Sequence, residues 1–226
     1  MLVTADRVFG GHLHVRNGKI AAISDDGTLP AREELDAAGL YVLPGMLDCH
    51  AHINDPGFTW REDLPHASEA AAVGGVTTLI DMPLQNTPPL TSADAFANKL
   101  AVFEGRSLVD YALWGGLVTD NTAELAGMDA AGAVGFKAFI APVSLGYSSV
   151  DMGLAREALF RIKAFGGLAG FHCEDHALIC AGEAKAKAVG GTRRAFLDSR
   201  PVVAEVIATA NVIELARETG ARVHIC

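Results

Sequence analysis

Positive charge is in short supply: 18 Lys and Arg stand against 27 Asp and Glu, a formal net charge of −9. That balance argues against nucleic acid or an anionic membrane as partner, since both are gripped by basic patches. No apolar run nears the roughly 20 residues that a membrane helix needs. The opening MLVTADRVFGG lacks the basic-then-apolar order of a secretory leader. Cysteine is scarce. Cys49, Cys173, Cys180 and Cys226 form no CxxC pair, so reduced thiols are expected rather than a zinc knuckle or a disulfide framework. No glycine-rich dinucleotide fingerprint follows any apolar run. What remains is the composition of a globular, cytoplasmic protein, 50% hydrophobic and long enough for one sizeable core.

What is present changes character near residue 44. Before it, VRNGKIAAIS alternates around Asn17–Gly18, the pattern of a two-residue β-hairpin, so residues 1–44 are expected to form a small β-module. Beyond it, strands are expected near 46–52, 76–82, 108–118, 134–140, 168–173 and 221–226. Helices are expected over about 65–73, 92–104, 121–131, 151–165, 175–189 and 201–219. GVTTLIDM and AVGFKAFI are continuously apolar, as strands covered on both faces should be. Alternation of this kind makes parallel βα units, an α/β fold that is either a doubly wound sheet or a (β/α)8 barrel. The missing nucleotide fingerprint weighs against the sheet.

In a barrel, chemistry sits where strands end. The first expected strand ends in His50–Ala51–His52, whose spacing points both imidazoles to one face, as a shared metal requires. The second ends in Asp81–Met82–Pro83, the fourth carries Lys137 within VGFKAFI, and the fifth ends in His172 within GFHCED. A lysine inside an apolar strand is costly unless paired. One reading has Lys137 snorkel or meet a carboxylate. The other has desolvation leave a neutral amine that takes up carbon dioxide as a carbamate, an anion able to bridge two metals. The histidines on either side favour the second.

GLYVLPGMLDCHAHINDPG, EAAAVGGVTTLIDMPLQNTPP, VGFKAFIAP and GFHCEDHALI cover most of the chain in order. They resemble the cyclic amidohydrolases of the amidohydrolase superfamily: allantoinase, dihydroorotase, and hydantoinase or dihydropyrimidinase. The resemblance implies a (β/α)8 TIM-type barrel over 45–226 and a β-sandwich to which 1–44 contributes. It implies two divalent metal ions, usually zinc, held by His50, His52, a carboxylated Lys137 and His172. For a full-length relative it implies a homo-oligomer acting on a small cyclic amide.

HINDPG and IDMPLQNTPP come closest to the allantoinase pattern, which implies purine catabolism, allantoin being opened to allantoate. Asn54 stands where dihydroorotases carry an arginine for the substrate carboxylate. Gln85 stands where allantoinases carry asparagine, with Asn86 beside it. Asn54, Gln85 and Asn86 are the candidate substrate contacts. Dihydroorotate and hydantoin-type rings are the alternative substrates. A scaffold relative that has lost its metal is the rival from another class, and the four retained ligand residues argue against it.

At the final ARVHIC the resembling pattern continues with a histidine directly after the cysteine and, later, a catalytic aspartate. His224 stands two residues too early, and no catalytic acid is assigned. Six strands cannot close an eight-stranded barrel. The expectation is a fragment truncated before strands seven and eight, with weak metal binding and little activity alone. His12 and His14 read as surface decoration of the β-module, His66 as a solvated helix start, and His176 as a first-turn residue. Arg193 and Arg194 read as an exposed linker and Gly74–Gly75 as a helix-ending turn, while Asp81 reads either as a substrate contact near the mouth or as a carboxylate that orients a ligand histidine.

Overall fold

In a computed structural model of the chain, residues 1–25, 27, 29–143 and 146–226 are described. They divide into two compact units, Met1–Met46 and Leu47–Cys226. In the first, β1 (Leu2–Val3) pairs antiparallel with β2 (Val8–Phe9), and β3 (His12–Arg16) with β4 (Lys19–Ser24). The expected hairpin turn is present. Asn17 (φ 51°) and Gly18 (φ 72°) are both left-handed, as a turn matched to strand twist requires.

The second unit runs β5 (Met46–Ala51), α1 (Leu64–Val73), β6 (Val76–Asp81), α2 (Ala93–Phe103), β7 (Asp110–Leu113), β8 (Gly115–Gly116) and α3 (Leu125–Ala130). It continues with β9 (Phe136–Phe139), α4 (Met152–Ala164), β10 (Leu168–His172), α5 (His176–Ala188), α6 (Arg193–Asp198), α7 (Val202–Thr219) and β11 (Arg222–Ile225). Side-chain caps explain where helices begin: Asp63, Ser92, Asp151, Asp175 and Thr192 each accept a backbone N–H from the first turn. The strands form two sheets in sequential order, β5-β6-β7 and β8-β9-β10-β11. The pairings β6–β7, β8–β9, β9–β10 and β10–β11 are parallel.

Three expectations are corrected. The strand expected over 108–118 changes partner midway. Trp114 N still donates to Asp81 O on the β6 side (2.9 Å), while Gly115 N donates to Gly135 O on the β9 side (2.8 Å). The helix expected over 121–131 starts only at Leu125. Asn121 is held in the preceding loop, accepting from Val118 N (2.9 Å) and donating to Thr91 O and Gly116 O (both 2.8 Å). Arg193 and Arg194 open a short helix rather than a linker, capped by Thr192 and braced by an Arg194–Asp198 pair one turn apart.

Side chains from alternate strand positions enter different clusters. Phe136, Ala138, Ala169 and Phe171 pack with Leu159 and Ile162 of α4 and Val212 of α7. Ile80, Phe139 and Leu168 pack instead with Met82, Trp114, Val118 and Tyr147. Each strand thus has an outer face under the helices and an inner face turned away from them.

Candidate metal centre

That alternation decides where the sequence-predicted residues point. On β5, Ala51 packs with the outer cluster, so His50 and His52 take the inner face. On β9, Phe136 and Ala138 are outer and Phe139 inner, which turns Lys137 inward. On β10 and β11 the same parity turns Gly170, His172 and His224 inward, with Val223 and Ile225 outside. The structure therefore turns His50, His52, Lys137 and His172 to the inner faces of the two sheets, away from the helices.

The register adds a layer. Lys137 pairs with Gly116 on one side and Gly170 on the other, and Gly170 pairs with His224. Lys137 thus stands between two inward positions that have no side chain. Its residue is 1% exposed. Its Nζ lies 4.8 Å from the centroid of the Phe139 ring, a cation–π contact, and no carboxylate or carbonyl accepts from it among the described residues. Its own carbonyl is doubly held, by Tyr147 Oη–H (2.6 Å) and Leu117 N–H (2.8 Å).

The imidazoles are kept neutral. His50 is pushed below the usual histidine range by burial first and by the nearby charge of Lys137 next, with smaller contributions from His224 and His172. His52 falls to about 4, again chiefly through burial, then through His50 and Lys137. The two rings lie 5.2 Å apart between centroids. His52 Nδ1 is buried without a partner. His172 is placed differently, its Nε2 2.7 Å from Glu174 Oε2 and its ring 5.3 Å from that of Phe139.

Two neutral imidazoles, an unpartnered ring nitrogen and a buried lysine without an acceptor among the described residues fit a metal-binding donor set. The set is not closed by histidines alone. Among the described residues, no three of His, Cys, Asp and Glu are gathered closely enough to hold an ion. The Lys137 side chain is the donor that would have to complete it.

The expected role of Asp81 is corrected, because its carboxylate orients no histidine. Oδ1 accepts from Ile53 N (2.5 Å) and Oδ2 from Lys99 Nζ, both groups being 1% exposed. Burial raises the Asp81 carboxyl to about 6 against the pull of Lys99, and burial lowers Lys99 against the pull of Asp81. Lys99 also donates to Ile53 O (3.1 Å) and Asn86 Oδ1.

Asn86 spends its other end on Leu84 O (3.0 Å) and Met82 O (3.4 Å), so its amide is committed to the loop that carries it. Asn54 is buried, with Nδ2 3.4 Å from His52 O and Oδ1 unpartnered. Gln85 is half-buried with φ 61°, a left-handed backbone unusual for its residue type. Beside Asn54, Asp55 Oδ2 accepts from Arg106 Nη2 (2.8 Å), just past the end of α2.

Lys99 was missed in the sequence, where a lysine on a helix reads as solvated. The available signal was its place on the apolar stripe of Phe96 and Phe103. Trp114, also unremarked, lies inside the sheet. Its Nε1–H donates to Cys49 O of β5 (3.3 Å), and its ring covers Gly135 and Gly170.

Comparison with known proteins follows the same lines. A family model described as "Dihydro-orotase-like" matches residues 39–226. The chain is 39% identical to an allantoinase of Solibacter usitatus over 99% of its own length and 49% of that protein's. It is 35% identical to an allantoinase of Deinococcus radiodurans, over 100% of this chain and 51% of the other. A solved L-hydantoinase (dihydropyrimidinase) from Arthrobacter aurescens superposes with a TM-score of 0.93 at 38% identity, covering 99% of this chain and 50% of that one. The sequence-based expectation of a TIM-type barrel is borne out for the part present. The chain spans about half the length of the curated relatives it matches.

Proposed function

The chain belongs to the dihydro-orotase-like family, and on that premise we propose that it forms the metal-binding half of a cyclic amidohydrolase that opens allantoin to allantoate. The observation that carries the reading is Lys137: buried, without an acceptor, facing neutral imidazoles and flanked by Gly116 and Gly170. Its amine, once deprotonated, would attack carbon dioxide. One N–C bond forms, one proton leaves, and the product is an anionic carbamate.

His50, His52, carboxylated Lys137 and His172 would hold two divalent cations, zinc by the chemistry of the donors. When bound, such cations supply an activated water at neutral pH and polarise the ring carbonyl. The chain's own part would be to hold His50 and His52 uncharged, with His52 lowered to about 4, and to offer Asn54 and Gln85 to the substrate's amide groups. The unpartnered Oδ1 of Asn54 is an acceptor suited to a ring N–H. Four unpaired cysteines suit a reducing compartment such as the cytoplasm.

A hydantoinase reading is the second one, favoured by the 0.93 TM-score to the Arthrobacter enzyme. The experiment is a side-by-side assay of the protein with allantoin, dihydroorotate and hydantoins. It is paired with 13C NMR after 13C-bicarbonate labelling of this chain and of Lys137→Met. Turnover of allantoin and a carbamate resonance lost in the variant are expected. Turnover of none of the rings, with no such resonance, would end the proposal.

A further inference from the structure

Resting on that reading, we infer that Lys99 is a positioning residue for the centre, acting through the peptide units of Ile53 between His52 and Asn54. Ile53 N–H donates to Asp81 Oδ1 (2.5 Å), and Ile53 C=O accepts from Lys99 Nζ (3.1 Å). Asp81 and Lys99 also bind each other. Both polar groups of the residue linking the proposed metal ligand to the proposed substrate contact are therefore held by one buried ion pair.

Lys99 has three N–H donors and meets three acceptors: Ile53 O, Asp81 Oδ2 and Asn86 Oδ1. Through Asn86 the same ammonium reaches the 83–90 loop, where Gln85 takes its left-handed turn. Thr87 N donates to Pro56 O (3.0 Å), so the two loops are joined a second time. Arg106, beyond the end of the same helix, holds Asp55 on the other side of Asn54. Lys99 of α2 thus holds the backbone between His52 and Asn54, while Arg106, just past the helix, holds the Asp55 side chain on the other side of Asn54.

A residue that merely supports the fold would change stability without changing the direction of His52. A residue that positions the centre changes metal affinity in a protein that remains folded. The test uses the 226-residue chain and the double variant Lys99→Met with Asp81→Asn, which removes both charges together so that neither is left buried alone.

Zinc affinity is measured at a temperature where circular dichroism shows both proteins folded. The ring resonances of His52, assigned with His52→Gln, are compared in the metal-free proteins. The expected result is a loss of zinc affinity of about 10- to 100-fold. A shifted His52 ring signal should accompany it, with that of the exposed His66 unmoved. A folded double variant with unchanged zinc affinity and an unmoved His52 signal overturns the inference.

If the wild-type chain binds no zinc, the metal reading fails, and the His52 signal alone decides the role of Lys99. If the double variant does not fold, hydrogen exchange of the wild-type Ile53 amide decides. Protection equal to that of core β9 and β10 amides supports the grip, and fast exchange refutes it.

Discussion

Two lysines of this chain are equally hidden, 1% exposed each, and both sit 4.8 Å from a phenylalanine ring. Their surroundings are otherwise opposite. Lys99 has an acceptor for every proton it carries, one of them a carboxylate. Lys137 has none among the described residues, and its two register neighbours are glycines. Burial by itself does not distinguish the two; the count of acceptors does.

The contrast can be broken most directly at Lys99. Lys99→Ala leaves the buried Asp81 carboxyl without its counter-charge and hydrogen-bond donor, and a loss of about 3–5 kcal/mol is expected in urea unfolding. Lys137→Met should leave the urea midpoint unchanged or raise it, because no ion pair or hydrogen bond of its amine is lost, while zinc affinity falls by at least about 100-fold. Equal destabilisation by the two substitutions would erase the distinction.

Crowding the register neighbour of Lys137 sharpens it. A Cβ on Gly170 would meet Trp114 Cζ3 at 3.1 Å and Cη2 at 3.2 Å, so Gly170→Ala should cost about 1–3 kcal/mol by overpacking. It should also weaken the labelled carbamate signal by pressing Trp114 against the layer around Lys137, and a full signal with an unchanged urea midpoint would count against tight packing there.

The smallest expected effect is in pH. His52 is lowered from 6.5 to about 4, so between those values the unfolded chain binds more protons than the folded one. Its contribution to stability is intact above 6.5 and is lost as pH falls through that window. His52→Gln should flatten the dependence of the urea midpoint on pH there, with Asp81 contributing alike to both proteins. Parallel curves would refute the buried, neutral histidine.

The inner-face residues were readable because strand periodicity and strand-end position are local properties. His50 and His52 two apart, and Lys137 one step from Phe136, declare their face without any knowledge of neighbours. What was hidden depended on partners distant in sequence. Asp81 was visible at the end of β6, but its partner lies 18 residues on, on a helix. The exchange of partners at Trp114 left no trace because pairing register has no signature within one strand. Helix α6 was obscured by Gly190–Gly191 and by polar residues whose capping role appears only when Thr192 meets Ala195 N.

The chain has two tryptophans, Trp60 at 77% and Trp114 at 4% exposure. With Trp60→Phe, a single fluorophore remains, lying where one sheet hands over to the next, above Gly170 and in contact with the carbonyl just before His50. The molecule therefore carries its own optical gauge: the colour and yield of that indole would register loading, crowding or loosening of the layer it covers, in a cuvette and without any label.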